Sequence, residues 1–110
     1  MKLITAVVRP ATFEAVRNAL RIFGVRGMTI AEVHESAPHS RHVQVYRGQR
    51  IETDLDAMIK IDLLVPDDEV TDLIHVIIKA RGDDDQGPVW VTQVQLAVRV
   101  RTGEYGMDAL

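Results

Sequence analysis

The sequence predicts an α+β fold in which four antiparallel strands carry two helices on one face. Three observations predict it. Residues 11–23 and the run from Val70 to Gly82 repeat apolar side chains at helical spacing. Each is flanked on both sides by short β-branched or alternating apolar runs. The resulting order, strand–helix–strand twice over, is that of a split β-α-β sandwich, the ferredoxin-like arrangement.

Each element has its own reason. Residues 2–9 (KLITAVVR) are short, apolar and rich in β-branched side chains, hence a strand. In the first helix Phe13, Val16, Ala19, Leu20 and Phe23 share one stripe, and Gly24 is suited to stop it. Residues 27–35 (GMTIAEVHE) read as a second strand with weaker alternation. Residues 36–56 are polar, hold Pro38 and Gly48, and show no period that a core could use. A loop of about 20 residues in a compact domain tends to be functional or disordered. The plain alternative is a hairpin with no role. In residues 57–65 (AMIKIDLLV), Ile59, Ile61, Leu63 and Val65 alternate with Met58, Lys60, Asp62 and Leu64. Pro66-Asp67-Asp68-Glu69 supplies carboxylates to cap a helix start, and Val70, Leu73, Ile74, Ile77 and Ile78 give the helix its apolar stripe. Residues 89–101 (VWVTQVQLAVRVR) alternate once more, with Trp90, Val94, Leu96, Val98 and Val100 opposed to Gln93, Gln95, Arg99 and Arg101. The sheet face without helices would keep apolar side chains such as Leu64 or Met58. A closed cyclic oligomer would bury them.

At 110 residues the chain suits one domain, 1–110, and its 46% hydrophobic and 26% charged residues are globular proportions. No run reaches the roughly 18 apolar residues of a membrane span, so direct membrane insertion is not expected. The start Met1-Lys2-Leu3-Ile4-Thr5 lacks the features of a secretory signal, and the absence of cysteine fits a cytosolic protein. The net charge of −3 argues against a duplex nucleic-acid partner. No nucleophile elbow, P-loop, dinucleotide glycine pattern or zinc-protease motif occurs, and nothing nominates an enzyme.

Three groups of side chains remain. Arg99 and Arg101, two apart on an expected strand, would project about 6–7 Å apart on one face and grip adjacent phosphates or carboxylates. They would equally suit cross-strand pairing with Asp or Glu. His34, His39 and His42 could take zinc or nickel, or simply be exposed loop polarity. Asp83-Asp84-Asp85 reads either as a cation-binding tract or as a solvated turn.

Taken together, specific residues carry a family resemblance across nearly the entire chain. They are the start MKLI, Arg9-Pro10, Val16-Arg17-Ala19-Leu20, Gly24-Val25, Gly27-Met28-Thr29, Glu32-Val33, Tyr46-Arg47-Gly48, Lys60-Ile61, Val65-Pro66-Asp67-Asp68 and the closing run from Val98 to Glu104. With YRG, VPDD and RxRTGE at these separations, the chain resembles the PII (nitrogen-regulatory) signal-transduction proteins, as a divergent member. The resemblance implies a non-enzymatic homotrimer that binds an adenine nucleotide (ATP, ADP or AMP) as effector in clefts between subunits, with no obligatory cofactor. It carries Val7, Gly27, Met28, Thr29, Leu64, Gly87, Arg99 and Arg101 into the nucleotide site. It also implies that the 36–56 loop docks a membrane transporter or metabolic enzyme; Tyr46, Arg47 and Arg50 are the candidate contacts because exposed Tyr and Arg are favoured anchors, the plain alternative being that they only stabilise the loop base. The protein would then be cytoplasmic and recruited to the membrane by a transporter partner. Departures qualify the expectation. The family's glycine- and lysine-rich nucleotide loop corresponds here to Gly82-Asp83-Asp84-Asp85-Gln86-Gly87-Pro88, about two residues shorter, with proline where lysine falls. Carboxylates beside a triphosphate repel it unless a metal intervenes, so weakened ATP binding is expected. His39 and Met58 stand where the family places a glutamine and a lysine for 2-oxoglutarate, so typical sensing of that acid is not expected. Ala37 replaces a loop glycine, and Ile51 replaces the tyrosine that some members modify.

Overall fold

The computed structural model describes residues 1–110 apart from 37–41, 47, 54, 86 and 110. The strands are β1 (Lys2–Val8), β2 (Thr29–Ser36), β3 (His42–Tyr46), β4 (Gln49–Thr53), β5 (Leu55–Val65) and β6 (Val89–Gln93). The helices are α1 (Pro10–Phe23) and α2 (Val70–Arg81), with 3-10 turns at Asp67–Glu69 and Gly106–Ala109. Four strands form one sheet in the order β2-β5-β1-β6, and the pairs β1–β5, β1–β6 and β2–β5 are all antiparallel. The predicted sandwich is present.

Register decides which side chains face the helices. Ile4, Ala6 and Val8 lie opposite Leu63, Ile61 and Ile59, and side chains on one face of a pair share parity. This set closes on Val16 and Leu20 of α1 and Leu73 and Ile77 of α2 to make the core. The other parity, Leu3, Thr5 and Val7 opposite Leu64, Asp62 and Lys60, forms the second face. Leu64 is exposed there as expected, whereas Met58 is buried.

Helix α1 ends as its sequence dictates. Gly24 adopts φ 103°, and its N–H reaches the carbonyls of Leu20 and Arg21. The α2 stripe is turned slightly from expectation: Val76 and Ala80 pack on the core, and Ile78 is exposed. Its start also differs. No side chain caps α2, because the Asp67 carboxylate is held by the Met1 ammonium at 2.5 Å and by Lys2 at 3.5 Å.

Two corrections concern the regions between and after the helices. Among the described residues of 36–56, β3 and β4 pair as a two-stranded antiparallel sheet. Gly48, at φ 78°, lies in the turn between Tyr46 and Gln49. A hairpin of this kind is specified by its turn and backbone ladder, which leave no apolar period to read. Conversely, the strand expected over 89–101 stops at Gln93. Its partner β1 begins at Lys2, opposite Gln93, and the last bond runs from the Val94 N–H to the Met1 carbonyl. Residues beyond have no ladder left to join, and among the described ones only Val98 pairs again, with Tyr105.

Candidate functional site

The edge strand β2 and the open sheet face together wall a cavity of about 720 Å3. Gly27, Met28 and Thr29 enter from the turn into β2, Asp62 and Leu64 from β5, Leu3 from β1, and Arg26, Arg99 and Ala109 close it. Thr29, Asp62 and Leu64 share one parity of the β2–β5–β1 register, so their side chains come from one face. Asp62 is held in place. One of its oxygens accepts the Thr5 hydroxyl at 2.6 Å, and the other lies 3.6 Å from Lys60 Nζ. With that carboxylate partnered, Arg99, whose described partner is a neutral carbonyl, gives the cavity a cationic side, which favours an oxyanion beside planar or apolar groups.

Five of the residues expected to bind a ligand therefore meet here: Gly27, Met28, Thr29, Leu64 and Arg99. Arg101 does not. Residues 100–102 form a turn closed by the Arg99 N–H to the Glu104 carbonyl (2.7 Å) and the Gly103 N–H to the Arg99 carbonyl (2.8 Å). The two arginines thus sit in and beside a turn rather than on one strand face, for want of a neighbouring strand. Neither pairs with a carboxylate among the described residues, and Arg99 Nη2 donates instead to the Ala109 carbonyl at 3.0 Å. Leu3, Arg26, Asp62 and Ala109 complete the cavity without having been singled out. The signal for Leu3 and Asp62 was parity with Leu64; for Ala109 there was none.

Val7 and Gly87 lie elsewhere, against one another before the opposite edge strand, β6. The Val7 N–H donates to the Pro88 carbonyl at 3.1 Å. A Cβ at Gly87 would stand under 3.0 Å from the Val7 carbonyl oxygen, so only glycine fits. Asp85 builds this corner. Its buried carboxylate accepts the Arg9 N–H at 2.9 Å, the Thr12 hydroxyl at 2.6 Å and the Gly87 N–H at 3.1 Å. It caps the start of α1, whose own preceding residue, Arg9, offers no side-chain bond. Burial pushes the carboxyl pKa up, but those three donors and the charge of Arg81 outweigh it and hold it below the usual 3.8. Arg81 in turn donates to the Gly87 carbonyl. The acidic run is therefore neither a cation tract nor wholly solvated: Asp83 and Asp84 are exposed, and Asp85 points inward as a structural anion.

The remaining candidates are on the hairpin side. Tyr46 and Arg50 belong to the β3–β4 ladder, whereas Arg47 lies outside the described residues, as do His39 and Ala37. His34 is exposed on β2 opposite Ala57, and His42 sits on β3 opposite Thr53. Among the described residues no three His, Asp or Glu side chains gather to hold a metal. No helix among them is long and apolar enough to cross a membrane.

A ferredoxin-like sandwich with an arginine-walled cavity at one sheet edge and a separate hairpin between its halves defines a small binding module. The family described as nitrogen regulatory protein P-II matches residues 1–104, and the chain belongs to that family of nitrogen-regulatory signalling proteins. It is 34% identical to nitrogen regulatory protein GlnK of Escherichia coli (strain K12), over all of both chains. It is 37% identical to nitrogen regulatory protein P-II 2 of Methanothermobacter thermautotrophicus, over all of this chain and 97% of the relative. A P-II protein of Haemophilus influenzae is 36% identical over the full length of both.

Proposed function

We propose that this protein is a non-catalytic regulator whose effector is an adenine nucleotide, bound between copies of the chain, and whose 36–56 hairpin meets a partner transporter or enzyme. One observation carries the reading. The residues expected to hold the nucleotide fall into two groups: Gly27, Met28, Thr29, Leu64 and Arg99 at the β2 edge, and Val7 with Gly87 beside β6. Gly27, Met28 and Thr29 lead into β2 and Gly87 leads into β6, opposite edges of the sheet about 14 Å apart by three strand spacings, with Leu64 on β5 and Val7 on β1 between them. In this reading a single nucleotide contacts both groups where one copy's β2 edge meets another copy's β6 edge. A closed ring of such contacts, a trimer in this reading, gives every subunit one complete site.

Exposure supports association. Leu96, Val98 and Val100 are 60%, 52% and 95% exposed beside the cavity's Arg99, more apolar surface than an isolated small domain normally leaves in one segment. The chemistry favours the shorter nucleotides. Arg99 is a donor for a phosphate in the first group, but the β6 side offers the exposed carboxylates of Asp83 and Asp84, and Pro88 has no N–H. ADP or AMP should bind better than ATP without a metal. Met58, buried and apolar, supplies no cation for a dicarboxylate, which supports weak 2-oxoglutarate binding. Sedimentation equilibrium combined with calorimetric titration of ATP, ADP, AMP and 2-oxoglutarate tests the proposal. A trimer taking one ADP per chain and little 2-oxoglutarate supports it. A monomer at micromolar concentration, or tight 2-oxoglutarate binding, overturns it.

A further inference from the structure

We propose that the C-terminal turn Gly106–Ala109 is a strap that occupies the oxyanion position of the Arg99 cavity and is displaced when an anion binds. The inference rests on the nucleotide reading of that cavity and adds a regulator to it. Ala109 is one of the residues lining the cavity, and its carbonyl oxygen accepts from Arg99 Nη2 at 3.0 Å, the place and distance a phosphate oxygen would take. The same strap sends Met107 into a second, smaller cavity formed with Gly24, Val25, Pro66 and Glu69. It therefore borders both hollows, through Ala109 and Met107 respectively.

Its attachments are few. The Gly106 N–H donates to the Ala97 carbonyl at 2.8 Å, Gly106 turns at φ 68°, and the turn has no buried residue. Asp108 and Met107 are both exposed. A segment with so little buried apolar surface opens locally at small cost. A neutral carbonyl is also a weaker acceptor for a guanidinium than a phosphate, so a ligand wins the exchange by its differential affinity for the open state. In the ligand-free protein the strap taxes affinity by the fraction of molecules that are open. If about one in five is open, the apparent dissociation constant rises about fivefold.

The test uses full-length Gly106→Val, whose branched side chain disfavours the positive φ that the turn requires, together with amide hydrogen exchange on the unaltered protein. The expected result is ADP binding about fivefold tighter in Gly106→Val, at unchanged oligomeric state and circular dichroism. In the unaltered protein, ADP should accelerate exchange of the Gly106 amide. If Gly106→Val does not fold, the exchange measurement decides alone. Equal or weaker ADP binding in a folded variant, or ADP-induced slowing of that amide, overturns the strap while leaving the nucleotide site intact. If neither ADP nor inorganic triphosphate binds either protein, the nucleotide reading itself fails and the strap with it.

Discussion

Asp85→Ala tests the physical account of the loop that separates α2 from β6. The carboxylate is buried and accepts three donors from two parts of the chain: Arg9 N–H (2.9 Å) and Thr12 hydroxyl (2.6 Å) at the start of α1, and Gly87 N–H (3.1 Å). A hydrogen bond to a charged group contributes about 1.5–3 kcal/mol, but three on one carboxylate are not additive. Losing the cap of α1 alone costs about 1 kcal/mol. A net loss of about 3 kcal/mol follows, which for a chain of this size lowers Tm by roughly 10–20 °C. Urea and thermal unfolding followed by circular dichroism, at fixed protein concentration, measure it. Asp83→Ala and Asp84→Ala, on exposed neighbours, should change stability by less than about 0.5 kcal/mol. The pH dependence has a definite sign. The folded-state pKa of Asp85 lies below the ordinary 3.8, so its stabilisation is complete above that value and fades as pH falls through the folded pKa. Asp85→Asn should be less stable at neutral pH and should lack that acid-side loss. If Asp85→Ala lies within 1 kcal/mol of the parent, or Asp83→Ala costs as much, the inward carboxylate is not what holds this corner.

Two further substitutions separate folding from binding. Gly87→Ala drives a Cβ into the Val7 carbonyl and should cost 2 kcal/mol or more, on the scale of a severe backbone clash, whereas Gly27→Ala meets nothing within 4 Å and should leave the unfolding midpoint nearly unchanged. Arg99→Ala removes an exposed side chain whose one partner among the described residues is a strap carbonyl. It should shift stability by less than about 1 kcal/mol yet weaken ADP at least tenfold in a calorimetric titration.

How far the sequence led depends on whether a residue's partner is local. Val16, Leu20 and Gly24 specify α1 and its end within one stretch of chain, and they are where periodicity places them. Ile61, Leu63 and Val65 declare their face by alternation alone. The Arg99 and Arg101 segment also alternates, but alternation only says which way side chains would point if a ladder existed. The ladder ends where β1 begins, a fact held by Lys2, 91 positions before its partner Gln93. Asp85 was illegible for the same reason: its donors, Arg9 and Thr12, stand 76 and 73 residues away. Within the cavity, Gly27, Met28, Thr29 and Leu64 follow from family resemblance alone, whereas Arg99 stands out already by its spacing from Arg101. Asp62 was reachable from strand parity and was overlooked because a strand aspartate looks like ordinary surface.

Protons of bound ADP offer the most direct reading of the shared site. In a methyl-labelled sample, nuclear Overhauser contacts from a single ligand to both the Met28 methyl and the Gly87 Hα are predicted, because those groups sit at opposite edges of one subunit and meet only across two. Contacts confined to one of the two groups would contradict a site shared between copies.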